Sequence, residues 1–180
     1  MTYYFLSNEA LCKARKTGSC GSAPGKLVFI IGKSFTIAFE LVRKALEKKN
    51  GLSLCISTGA RAASEIVKKC SLFAEAVKKL SGGKIDYTCG YDHVHFSNGS
   101  RVMSLPSTTD GANLRGYTAQ CVCIDEAAYI PHLEDIMQAI APTLTRDKTA
   151  ELVMTSTPAG KNGYFYDRWT AAIDDPEWYT

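Results

Sequence analysis

Short apolar runs alternate with longer amphipathic stretches along most of this chain. Leu27–Ile31, Leu52–Ser57, Gln120–Ile124 and Glu151–Ser156 have the length and the branched apolar content of strands. Between the first two, Ser34–Lys48 carries Phe35, Ala38, Leu41, Val42, Ala45 and Leu46 at helical spacings, which gathers them on one face. Lys48-Lys49-Asn50-Gly51 supplies the stop. Ala60–Leu80 predicts a second helix, ended by Gly82 and Gly83, and Leu133–Ile140 a short third one. Gln120–Ile124 lacks polar alternation, so it should be buried on both faces, as central parallel strands are. His93–Phe96 and Arg101–Leu105 flank Ser97-Asn98-Gly99-Ser100 and predict a hairpin with a type I′ turn at Asn98-Gly99. Pro106–Ala112 and the segment holding Pro158, Gly160 and Gly163 read as loops. Strands alternating with helices give an α/β fold: a mostly parallel central sheet flanked by helices, with the β-hairpin added at an edge.

Composition narrows the picture. A chain of 180 residues, 46% apolar and 22% charged, suits one domain with a sizeable core. A formal charge of +3 is too small to hold nucleic acid by its average field, so any such contact must be a local patch. The basic pairs Arg43-Lys44, Lys48-Lys49, Lys68-Lys69 and Lys78-Lys79 read mainly as solvated helix faces. The seven cysteines are odd in number and form no C-x-x-C, which fits a reducing compartment with neither a zinc site nor a disulfide framework. No apolar run approaches the roughly 20 residues of a membrane helix. Residues 1–25, with Gly18, Ser19, Gly21, Ser22 and Pro24, are expected to be a loosely structured lead-in to a domain over 26–180.

Three constellations carry candidate chemistry. Gly32-Lys33-Ser34 falls between an apolar run and an amphipathic helix, where helix-start N–H groups attract phosphate, a Lys reaches β- and γ-phosphates, and a Ser hydroxyl ligates Mg²⁺. The tripeptide alone is common, and the full phosphate-loop pattern asks for glycine where Leu27 stands. Asp125-Glu126 ends the Cys121-Val122-Cys123-Ile124 run. At a strand's C-terminal end the first acid can hold Mg²⁺ and the second can polarise an attacking water; a helix N-cap is the simpler reading of either acid alone. Thr155-Ser156-Thr157 ends a third run before Pro158. Its hydroxyls either close a local turn or, taken with the other two sites, sense a γ-phosphate.

These residues resemble a known family. Leu114-Arg115-Gly116 followed by Val122–Pro131 is similar to the Walker B region of terminase large subunits from tailed bacteriophages. Thr155–Gly163 resembles their coupling motif, Phe165–Trp169 continues the likeness, and Gly32–Thr36 resembles the end of their Walker A motif. The resemblance implies a RecA-like (ASCE) P-loop NTPase, an ATPase that drives double-stranded DNA into a procapsid. It implies ATP and Mg²⁺ as cofactors. Its partners would be a terminase small subunit and a portal protein, with a homo-oligomeric ring on the portal, in the cytoplasm of the infected bacterium. It places Gly32, Lys33, Ser34, Phe35, Thr155, Ser156 and Thr157 at the nucleotide, Ser34 and Asp125 at the metal, and Glu126 as the catalytic base. Arg115 either reaches phosphate, in cis or in a neighbour's site, or pairs on the surface with an acid such as Asp110. Ser57-Thr58 and Arg61 resemble the motif after the second strand, although Thr58 as a helix cap is the simpler reading. The usual RNase H-like nuclease domain would begin beyond Thr180, so no DNA cutting is expected of this chain.

One departure stands out. Where the family usually has Ser-Arg-Gln, this chain has Val28-Phe29-Ile30. This departure favours one rival reading, a non-hydrolysing interaction module of terminase-like fold; a second rival, a helicase-like remodelling ATPase, would share the P-loop core.

Overall fold

The computed structural model describes residues 2–7, 32–107, 114, 116–145, 149–172 and 178–179. Eight strands form one sheet: β1 (Thr2–Ser7), β2 (Leu52–Ser57), β3 (Tyr87–Cys89), β4 (His93–Phe96), β5 (Arg101–Pro106), β6 (Cys121–Ile124), β7 (Glu151–Ser156) and β8 (Trp178–Tyr179). Their spatial order is β3-β4-β5-β2-β6-β7-β1-β8. From β5 to β8 every neighbouring pair is parallel, and β3 and β4 add antiparallel at one edge. Among the described residues four α-helices cover the sheet: α1 (Lys33–Glu47), α2 (Ala60–Leu80), α3 (Leu133–Thr145) and α4 (Tyr164–Ala172). No described helix is long and apolar enough to cross a membrane.

Side-chain alternation along the strands divides the core in two. Cys55, Cys121, Cys123 and Val153 point to one face, where Ile37, Leu41 and Ala45 of α1 and Ile66, Val67 and Cys70 of α2 close over them. Leu54, Ile56, Val122, Ile124, Leu152 and Met154 point to the other, against Ile136, Ile140 and Leu144 of α3 and Phe165 of α4. All four residues of β6 are buried, as its lack of alternation predicts.

Several expectations shift. Thr2–Ser7 lies inside the stretch expected to be a loose lead-in, yet it pairs in parallel with β7 from Thr2 opposite Glu151 to Ser7 opposite Ser156. Four β-prone residues, Thr2 to Phe5, suffice to carry a six-residue strand that has a neighbour on each side. The strand predicted over Leu27–Ile31 lies outside the described residues. The hairpin turn is not type I′. Gly99 N–H donates to the Phe96 carbonyl at 3.0 Å and Phe96 N–H to the Ser100 carbonyl at 2.8 Å; only Gly99 of the loop has positive φ. That is a three-residue loop, a type I turn closed by a glycine bulge, with Asn98 Oδ1 accepting the Ser100 N–H at 3.0 Å. The third helix runs past Ile140 to Thr145 although Pro142 deletes one helical N–H. Ala141 and Pro142 are exposed, so water can serve that turn. Lys44 is no solvated helix residue: it is buried, with Nζ 2.6 Å from Glu151 Oε1 and 3.1 Å from Glu47 Oε2, and it ties α1 to the start of β7.

Candidate functional site

The site forms where β6 and β7 end and α1 begins. Gly32 opens α1 with φ 86°, ψ 149°, a conformation that favours glycine. Its carbonyl accepts the Phe35 and Thr36 N–H groups at 3.1 and 3.2 Å. The first turn of α1 carries no acidic residue, so the positive end of the helix is unopposed by its own side chains. Lys33 leans from this turn toward β6, its Nζ 3.1 Å from Glu126 Oε1.

Strand register fixes the acids. Ile124 pairs with Met154, so Asp125 falls beside Thr155, whose hydroxyl donates to Asp125 Oδ1 at 3.0 Å. Asp125 shares the side of the sheet taken by Cys121 and Cys123, the side on which α1 lies. Glu126 then turns left-handed, φ 51° and ψ 45°, a strained state for a residue with a Cβ. Thr157 holds it there: its N–H and its hydroxyl both donate to Glu126 Oε2 at 3.0 Å. Ser156 serves the turn, donating to the Thr157 carbonyl at 2.8 Å and accepting the Ala128 N–H at 3.1 Å.

The two carboxyls sit in opposite electrostatic settings. Burial pushes Asp125 up; the Thr155 hydroxyl pulls it down and the Glu126 charge pushes it up again, leaving it above the usual aspartate value. Burial also pushes Glu126 up, but the Thr157 N–H, the Lys33 ammonium and the Thr157 hydroxyl outweigh it and hold Glu126 below its usual value. Glu126 thus ionises more readily than a free glutamate, and Asp125 less readily than a free aspartate.

Of the residues predicted from sequence, Lys33, Asp125, Glu126, Thr155 and Thr157 converge. The hydroxyls meet the acids directly instead of standing free for phosphate. Ser34 is half-buried beside Lys33 in the first turn of α1. Phe35 turns elsewhere: its ring packs edge-on to Phe73 of α2, centroids 6.3 Å apart, with the Lys69 ammonium 5.8 Å from its centroid. Arg115 lies outside the described residues. Thr58 does not cap α2; the N-cap is Gly59, without a side-chain bond. His93 and His95 share a strand face, with ring centroids 4.7 Å apart. Two features had no sequence signal: the Tyr129 hydroxyl donating to the Pro158 carbonyl at 3.3 Å, and a cavity of about 440 Å³ between the Pro158–Asn162 loop and Phe165, Tyr166 and Trp169. That cavity flanks Thr157 without including Lys33 or the acids.

A lysine from a helix start, two acids and the hydroxyls beside them thus gather at the tips of parallel strands, the end of an α/β sheet where ligands bind. The family model for the terminase large subunit, T4likevirus-type, N-terminal, matches residues 29–180, and the chain belongs to that family. Solved structures agree in fold. A mutant large terminase ATPase domain from Thermus phage P74-26 is 23% identical with a TM-score of 0.63, over 76% of this chain and 59% of that one. The large terminase of a thermophilic bacteriophage, in complex with ADP, is 14% identical with a TM-score of 0.65, over 98% and 39%. The N-terminal domain of the bacteriophage phi29 DNA packaging ATPase is 11% identical with a TM-score of 0.57, over 94% and 79%. This chain therefore spans about three-fifths of the P74-26 chain and two-fifths of the ADP-bound one. The fold class is the RecA-like one expected, with a mostly parallel sheet.

Proposed function

We propose that this chain is the ATP-hydrolysing motor region of a DNA-packaging terminase. The observation that carries the reading is the Lys33–Glu126 contact at 3.1 Å, with Asp125 and Thr157 bonded into the same cluster. The donor set suits the groups it would take. Lys33 is a cation at a helix start, fit for β- and γ-phosphates. Asp125 and the Ser34 hydroxyl are hard oxygen ligands of the kind Mg²⁺ prefers. Mg²⁺, when bound, would neutralise charge on the phosphate oxygens.

The chain's own residues would do the rest. Lys33 exchanges its contact with Glu126 for the incoming phosphate. Glu126, ionised and held by Thr157, accepts a proton from water as that water's oxygen bonds to the γ-phosphorus. The bond from phosphorus to the β-bridging oxygen breaks, giving phosphate and ADP. Loss of the γ-phosphate changes what Lys33 and Glu126 bind. Thr157 and Pro158 follow Glu126 through their bonds to it and to Tyr129, which offers a route from hydrolysis to motion. In the assembled motor the partners would be double-stranded DNA, a terminase small subunit, a portal protein and further copies of this chain in a ring, in the cytoplasm of an infected bacterium.

The test is Mg²⁺-dependent phosphate release from ATP by the parent and by Lys33→Ala. Release that Lys33→Ala abolishes supports the reading; release that survives Lys33→Ala removes it. Val28-Phe29-Ile30, in place of the family's Ser-Arg-Gln, supports a second reading: a nucleotide-binding module without turnover. Nucleotide binding by the parent without phosphate release would select it.

A further inference from the structure

Ser57 ends β2 fully buried, its hydroxyl without a hydrogen-bond partner among the described residues. Alternation puts it on the α1 face, two residues beyond Cys55, which is packed under α1 and α2. Register places its neighbour. Ile56 pairs with Ile124, and the Asp125 N–H donates to the Ile56 carbonyl at 2.8 Å, so Ser57 and Asp125 stand side by side on adjacent strand tips. On the other flank of Asp125, Thr155 already donates to Oδ1 at 3.0 Å. The tips therefore form a row, Ser57–Asp125–Thr155, in which one outer hydroxyl is bonded and the other has no partner among the described residues.

A buried hydroxyl without a partner is costly, and native proteins keep few of them except where a water, ion or ligand completes the bonding. Ser53 offers a comparison within the same strand. It is equally buried and unpartnered and faces the same way, but it lies four residues back from the tips. Ser57 alone of the two is next to a carboxylate.

We infer that Ser57 is a positioning residue: its hydroxyl holds a water shared with Asp125, and this water belongs to the hydration shell of the divalent cation that accompanies the nucleotide. Mg²⁺ sheds its waters reluctantly and usually keeps several, so a site for it needs second-layer partners for water as well as direct ligands. The inference rests on the nucleotide reading above and adds to it a residue outside the helix start, the acid pair and the Thr155–Thr157 tip.

Mn²⁺, a paramagnetic substitute, provides the readout. Its affinity is measured by electron paramagnetic resonance on chain saturated with ADP, for the parent, Ser57→Ala and Ser53→Ala, and ADP affinity is measured separately without metal. Ser57→Ala is expected to weaken Mn²⁺ by about tenfold and to leave metal-free ADP affinity unchanged, whereas Ser53→Ala changes neither. Alanine removes a hydroxyl that has no hydrogen-bond partner among the described residues, so both variants should fold like the parent. Equal Mn²⁺ affinity in the parent and Ser57→Ala overturns the inference alone. A parent that binds no Mn²⁺ with ADP overturns the nucleotide reading and the inference together.

Discussion

Lys33 and Glu126, 93 positions apart in sequence, meet at 3.1 Å where α1 starts and β6 ends. The pair is partly shielded, with side-chain exposures of 16% and 34%. It joins the helix start to the acid pair directly, and Thr157 fixes the acid's other oxygen. Each oxygen of the Glu126 carboxylate thus has its own holder, one a lysine ammonium and the other a backbone N–H with its own side-chain hydroxyl.

The left-handed turn at Glu126 predicts a stability difference independent of its carboxylate. Glu126→Gly and Glu126→Ala both lose the contacts to Lys33 and Thr157, but only alanine keeps a Cβ in the left-handed region. Glycine should be the more stable of the two by about 1–2 kcal/mol in denaturant unfolding. Equal stability would show that the backbone relaxes out of that region once the carboxylate is gone.

At the far edge of the sheet, Gly99 has φ 83°, and a Cβ built on it would run into Asn50 Oδ1. Gly99→Ala should cost about 1–2 kcal/mol from left-handed strain, with a smaller share from displacing the exposed Asn50 amide. Asn50→Ala removes the clashing oxygen but, at φ 58°, brings left-handed strain of its own, so the double variant should lose less than the sum of the two single losses. A strictly additive double-mutant cycle would contradict the contact.

Cys70 is buried against α1, its thiol 3.8 Å from the Ala38 carbonyl, and burial pushes its pKa up from 9.0 to about 12. The folded value lies above the unfolded one. The neutral thiol's contribution to stability is therefore complete below about pH 9 and is lost as pH rises toward 12. Between those limits stability should fall with pH, and Cys70→Ala should make the slope shallower by about 1.4 kcal/mol per pH unit. Identical slopes for parent and variant, measured by unfolding at fixed pH values, would mean that Cys70 ionises in the folded protein as it does in the unfolded one.

Sequence periodicity located the interior of the fold well because strands buried on both faces and helices with one apolar stripe leave strong local patterns. Leu52–Ser57, Ala60–Leu80 and Glu151–Ser156 have the bounds that pattern predicts. It failed where tertiary context decides. Tyr87–Cys89 and Thr2–Ser7 are strands because a neighbouring strand offers them hydrogen bonds. Lys44 is buried because Glu151, 107 positions later, meets it. The site was legible in parts: a helix start with lysine, two acids ending an apolar strand, and three hydroxyls ending another. How those parts join was not. Which hydroxyl serves which acid follows from strand register and from the left-handed turn at Glu126, and neither leaves a mark in local composition.

The most direct test of the account is nucleotide affinity and phosphate release measured side by side on Lys33→Ala and Glu126→Gln. Lys33→Ala should lose ATP binding. Glu126→Gln should bind ATP at least as tightly as the parent, since its Lys33 no longer faces a competing charge, while turnover falls by about 100-fold or more. Parent-like hydrolysis by both variants would contradict the assignment of this cluster as the catalytic centre.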